Sequence, residues 1–237
     1  MKAAVCALLL LCALLAHAEP LAQHYEFRAA HDPDGIGKFY LGRENAHVMG
    51  PGGIIWLERS ERETEEKPQL VIDALEIKPG QTIADLGAGS GYYSFRIAPL
   101  VGPTGRVLAI DIEPKMLEVI AERAGREHVT NIATVRSSER DPNLAPHSVD
   151  LLLMVDVYHE LEYPYEVMRK VREALKPGGR VALVEYRAED PQVQIKPVHK
   201  MSEAQVRREM QAAGFRHVTT VRTLPLQHLI LFERDGA

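Results

Sequence analysis

Cysteine is nearly missing from this chain: only Cys6 and Cys12 occur among 237 residues, and both fall within the first eighteen. Once that stretch is removed, the chain from Glu19 carries no thiol. Structural disulfides, thiolate metal centres and a cysteine nucleophile are then excluded together. Clusters of positive charge are equally scarce. The formal net charge is −5 and no basic run is interleaved with aromatics, so nothing draws the chain to phosphate backbones and no nucleic-acid partner is expected. Internal repeats, low-complexity tracts and long linkers are absent as well. With 46% hydrophobic and 26% charged residues, the composition is that of a globular protein able to bury a core without staples.

The apolar run at the start, Ala3 to Ala16, is too short for a comfortable bilayer crossing. Lys2, this run and Ala16-His17-Ala18 make up the three parts of a secretory signal peptide. Cleavage is expected after Ala18, giving an exported, periplasmic chain with no stable membrane insertion. A cytoplasmic location is the alternative.

The stretch that organises the remainder is Gln81 to Tyr93. A β-branched and apolar run ends in Asp85-Leu86, glycines follow at Gly87, Gly89 and Gly91, and a helical pattern begins. Strand, tight turn and helix are expected, with glycine giving access to positive φ and letting a ligand approach the backbone. Free amides at the start of the helix face a polar or anionic group. The next strand, Arg106 to Ile110, ends in Asp111, about 20 residues past the turn, where an acid in such folds meets ribose hydroxyls. Tyr92 occupies the place of the third glycine of a dinucleotide fingerprint, which disfavours a nicotinamide or flavin site.

Further strands are expected over Asn131–Arg136, Val149–Val155 and Arg180–Tyr186, alternating with helices opened by Pro114 and Pro164. A helix capped by Ser202 precedes two closing strands, Val218–Arg222 and His228–Phe232, too close together for a helical crossover, so at least one runs antiparallel. The fold class that follows is α/β, a Rossmann-like, doubly wound and mostly parallel seven-stranded sheet with at least one antiparallel closing strand. His31 to Trp56 shows no persistent period and reads as short helices and loops, either lying over a crevice or packed on the sheet edge by Trp56. The charge-dense run Leu57 to Glu66 reads as a solvated helix face.

Ile83-Ala84-Asp85-Leu86-Gly87-Ala88-Gly89-Ser90-Gly91, Asp111, and Leu175-Lys176-Pro177-Gly178-Gly179-Arg180 together resemble the class I S-adenosylmethionine-dependent methyltransferases. The resemblance runs from about Glu65 to Arg234, giving a domain over 65–237 and leaving 19–64 as an N-terminal extension or cap. It implies an antiparallel final strand and S-adenosylmethionine as cofactor, with Asp85 near the methionine end, Gly87, Ala88, Gly89, Gly91 and Tyr92 along it, and Asp111 and Ile112 at the ribose. Asp156, at the end of the fourth strand, would accept from the methionine amino group or hold the acceptor. Beside it, His159 is the candidate general base for a small-molecule methyl acceptor, oriented by Glu160. Alignment alone can also suffice for methyl transfer. The absence of thiols argues against the thiol-dependent arsenic methylation of some relatives. No ligand spacing of the HxxxH kind joins His47, His159 and His199, so no metal is expected. An exported binding protein that kept this architecture and lost turnover, or a nucleotide-cofactor oxidoreductase, are the alternatives.

Overall fold

The computed structural model describes residues 24–236, and the expected signal segment lies outside them. Three short strands come first: β1 (Tyr25–Phe27), β2 (Gly35–Tyr40) and β3 (Arg43–Ala46) form an antiparallel sheet in sequence order. This corrects the reading of that region as helices and loops. Its strands lack the usual alternation because they bury charge: Lys38 lies beneath the rings of Tyr25 and Tyr163, and Glu44 accepts from the amide of Gly37 at 2.9 Å. The short helices α1 (Ile54–Leu57) and α2 (Arg62–Glu65) follow. Trp56 is not a buried peg against the sheet edge; it is partly exposed, with the Arg59 guanidinium over its ring.

The main body alternates as expected. After α3 (Pro68–Leu75) come β4 (Thr82–Leu86), α4 (Tyr92–Val101), β5 (Arg106–Asp111), α5 (Pro114–Arg126), β6 (Ile132–Arg136) and β7 (Val149–Val155). Then follow α6 (Pro164–Ala174), β8 (Leu175–Tyr186), α7 (Glu203–Ala212), β9 (Phe215–Val221) and β10 (Gln227–Arg234). The seven strands lie in the order β6-β5-β4-β7-β8-β10-β9, parallel from β6 through β8, with β10 antiparallel to both its neighbours. β8 starts five residues before the expected Arg180: Lys176-Pro177-Gly178-Gly179 belongs to it as an irregular entry, with Gly178 at φ +74° and a break in register against β7.

Period-2 side-chain alternation divides the core between the two faces of the sheet. Ile83, Leu151, Leu153, Ala182 and Val184 pack on α3 and α4 through Leu75, Ile97 and Val101. Ala84, Leu152, Met154, Val181 and Leu183 pack on α6 and α7 through Met168, Val171, Val206 and Met210. α7 is started by Ser202, whose side chain accepts from the amide of Gln205, as the capping spacing suggests. Among the described residues no helix is long and apolar enough to cross a membrane.

Strand order reverses between β4 and β7: the chain winds outward from β4 to β6, then returns to continue on the other side. In such a sheet the crevice beyond the carboxyl ends of the two strands at the reversal is the natural ligand position.

Candidate functional site

A cavity of about 730 Å³ opens at that reversal. One wall is the turn after β4. Gly87, Gly89 and Gly91 stand at φ +75°, +56° and +83°, and a Cβ on Gly87 would fall 2.4 Å from the Val157 side chain, so glycine is required there. The tip of β5 braces this turn. Asp111 accepts the Gly89 amide on Oδ2 at 2.8 Å and the Glu113 amide on Oδ1 at 2.9 Å. Burial raises its carboxyl above the usual range, against the pull of these amides.

Of the residues the sequence assigns to the cofactor, Gly87, Gly89, Asp111, Ile112 and Asp156 line this cavity. Asp85, Ala88, Gly91 and Tyr92 do not line it. Asp85 is buried under the turn, accepting from the Ser94 hydroxyl at 2.6 Å, and burial pushes it up to about 6. Tyr92 turns its hydroxyl to Glu63 at 2.5 Å, Ala88 is buried against Ile120, and Gly91 packs near Phe95 and Ile120. These four shape the turn from behind.

Asp156 is held in the left-handed region at φ +54°, uncommon for a residue with a side chain. Its Oδ2 accepts from Gln227 Nε2 at 2.7 Å, while Oδ1 is buried with no hydrogen-bond partner. Burial first, then the nearby carboxylates of Glu66 and Glu185, raise its pKa well above the ordinary value. An unsatisfied buried acceptor on a cavity wall is costly unless a donor arrives with a ligand.

The opposite wall comes from the N-terminal region: Val48, Met49, Trp56 and Leu57 contribute apolar surface. Arg62 and Glu66 stand behind it, where the charge run suggests only a solvated face. They form a buried pair at 2.8 Å, and Glu66 also accepts from the Tyr186 hydroxyl at 2.9 Å. The spacing of four hinted at the pair, but nothing in the run distinguished it from its exposed neighbours.

The polar end holds His159, Glu160 and His199. Glu160 is not the carboxylate that orients His159. Glu185 of β8 does this, accepting from Nδ1 of His159 at 2.6 Å and from the amide of Tyr158 at 2.9 Å. Burial disfavours the charged ring of His159, but Glu185 and Glu160 outweigh it and its pKa is raised. Nε2 lies 3.1 Å from Nδ1 of His199, whose own pKa is lowered to about 4 by burial and by His159. Glu160 accepts the Met49 amide at 3.2 Å, and burial pushes it up to about 7. His47 lines the same cavity apart from this trio.

A model of the methyltransferase domain matches residues 84–181, from β4 into β8, and the fold superposes on a SAM-dependent methyltransferase from Aquifex aeolicus with a TM-score of 0.73 and 25% identity, covering 78% of this chain and 98% of that one. Residues 84–181 thus match a methyltransferase domain, and the fold is that of the class I methyltransferases. Similar sequences include an arsenite methyltransferase of Halobacterium salinarum, 30% identical over 44% of this chain and 27% of that protein. The ubiquinone/menaquinone biosynthesis C-methyltransferase UbiE of Klebsiella pneumoniae is 30% identical over 50% of this chain and 47% of its own length. The chain thus spans less than half the length of either relative. A [4+2]-cyclase, SpnF, has the same fold at a TM-score of 0.62 and 12% identity.

S-adenosylmethionine is the cofactor this family implies, and the residues present fit it. The turn brings backbone to the cavity at Gly87 and Gly89 without side chains in the way, and Asp111, on the cavity wall, retains lone pairs free to accept from hydroxyl groups. The orphan Oδ1 of Asp156 suits an ammonium donor.

Proposed function

We propose that this chain transfers the methyl group of S-adenosylmethionine to a small-molecule acceptor. The observation that carries the reading is a single cavity joining the glycine turn, Asp111 and Asp156 on one wall to an apolar wall and a polar trio on the other. When bound, the cofactor supplies a methyl group on a sulfonium, open to in-line attack. Gly87 and Gly89 admit it, Asp111 holds the ribose hydroxyls, and Asp156 takes the amino group. Val48, Met49, Trp56 and Leu57 exclude water and seat the acceptor's apolar part, so that alignment supplies most of the rate. The His159 end holds the acceptor's polar part. The test is incubation of the chain with methyl-labelled cofactor and a panel of small acceptors; label in a product supports the reading, whereas cofactor binding without product across the panel favours a binding protein that has lost turnover.

The net charge of −5 supports a small acceptor over nucleic acid. Residues 19–64 act as a cap on the domain formed by 65–237 in this reading, which Val48, Met49, Trp56 and Leu57 on the cavity's outer wall support. The composition of Met1 to Ala18 supports export to the periplasm. Mass spectrometry of the N-terminus from the native host tests this: a chain beginning at Glu19 agrees with export, and one retaining Met1 refutes cleavage.

A further inference from the structure

We propose that His159, Glu160 and His199 bind one divalent transition-metal ion at the polar end of the cavity. The three ligand atoms converge from two separate turns, Tyr158–Glu160 and Pro197–His199. Nε2 of His159 and Nδ1 of His199 are 3.1 Å apart, and Oε1 of Glu160 lies 4.0 and 3.9 Å from them. An ion with bonds of about 2.0–2.2 Å holds its ligand atoms roughly 3–3.5 Å apart. The two nitrogens already stand at such a separation, and a small rotation of the Glu160 side chain closes the third side.

The surroundings have the features of a built site. Glu185, fully buried, accepts the hydrogen bond of Nδ1–H on His159 and so leaves the Nε2 lone pair facing His199 and Glu160. A carboxylate behind a ligating imidazole fixes its tautomer and orientation in just this way. The second oxygen of Glu160 is anchored by the Met49 amide, and the carbonyl of His159 by Arg43 at 3.0 Å. The turn that presents His159 and Glu160 is therefore held from outside the trio.

Two imidazoles and one carboxylate are a borderline nitrogen and oxygen set, suited to zinc, iron(II), manganese or cobalt rather than to calcium or magnesium. Three protein ligands leave coordination positions open, and all three residues line the cavity, so those positions face the acceptor. An acceptor with an oxygen donor would be oriented by taking one of them; this extension rests on the methyl-transfer reading, while the ion site rests on its own geometry.

The test is titration of the untagged, chelator-treated full chain with Zn2+ by calorimetry and with Co2+ by visible absorption, alongside S-adenosylmethionine affinity in the same samples. One ion per chain is expected. His199→Ala and Glu160→Gln should abolish the Co2+ spectrum, and Glu185→Gln should weaken Zn2+ binding by about 10–100-fold. Cofactor affinity in His199→Ala should stay within about twofold, showing that the variant is folded. No stoichiometric ion in the unmodified chain, or binding unchanged in both ligand variants, overturns the site. Failure of cofactor binding with the ion retained would instead count against methyl transfer and leave the metal site standing.

Discussion

Asp85 shows how a residue can be legible in type and misplaced in role. Its position before the glycine turn marked the motif, but its side chain points away from the cavity into the contact with Ser94. Periodicity cannot tell which side of a turn a carboxylate faces. The consequence is a stability cost that rises with pH. Its folded-state pKa is about 6 against 3.8 for the free side chain, so between those values the folded chain holds a proton that the unfolded chain releases, and stability falls as pH rises. The whole effect is about 3 kcal/mol, fully expressed above pH 6 and absent below 3.8. Asp85→Asn should therefore be more stable than the parent at pH 7.5, by less than that amount because the Ser94 contact weakens, and the two should converge near pH 3. Urea unfolding at the two pH values checks this; a variant destabilised equally at both would contradict it. His159, Glu160 and His199 illustrate a different limit. The adjacent His-Glu pair was visible, but its partner lies 40 residues away and only the fold brings it to the pair.

At the scale of elements, the parallel strands and their helices were readable because they are buried on both faces and punctuated by Pro114, Pro164, Gly102 and Gly214. The N-terminal sheet was not, because its strands bury lysine and glutamate instead of alternating. It is attached to the body by specific polar contacts. Arg43 of β3 makes a bidentate pair with Glu209 of α7 at 2.8 and 3.0 Å, with Glu209 fully buried, and it also donates to the carbonyls of Glu44 and His159. Removing one partner leaves the other charge buried and unpaired, which costs about 3–5 kcal/mol. Glu209→Ala should lose about that much in denaturant unfolding, whereas Arg43→Met combined with Glu209→Leu should recover much of it. A loss below about 1 kcal/mol in the single variant would show that the pair does not tie the small sheet to the large one.

For the molecule as a whole, the doubly wound sheet followed from the alternation of elements and the reversed last strand from the resemblance to the methyltransferases, since spacing required only that one of the two closing strands be antiparallel; the N-terminal sheet and the cavity's outer wall needed the structure. Fold does not fix chemistry, as the [4+2]-cyclase of the same architecture illustrates. Ligand linkage is therefore the better discriminator. At a hundredfold excess over its dissociation constant, a ligand of the folded state adds about 2.7 kcal/mol, worth roughly 5–11 °C in Tm for a chain of this size. S-adenosylmethionine should produce such a shift and NAD should not; the reverse would point to an oxidoreductase. The most direct measurement is calorimetric titration of S-adenosylmethionine into the chain and into Asp111→Ala. Stoichiometric binding, weakened in the variant by about 1–3 kcal/mol or roughly 5- to 150-fold, is the expected result. No binding to the unmodified chain, or equal affinity in both, would contradict a cofactor seated between the glycine turn and Asp111.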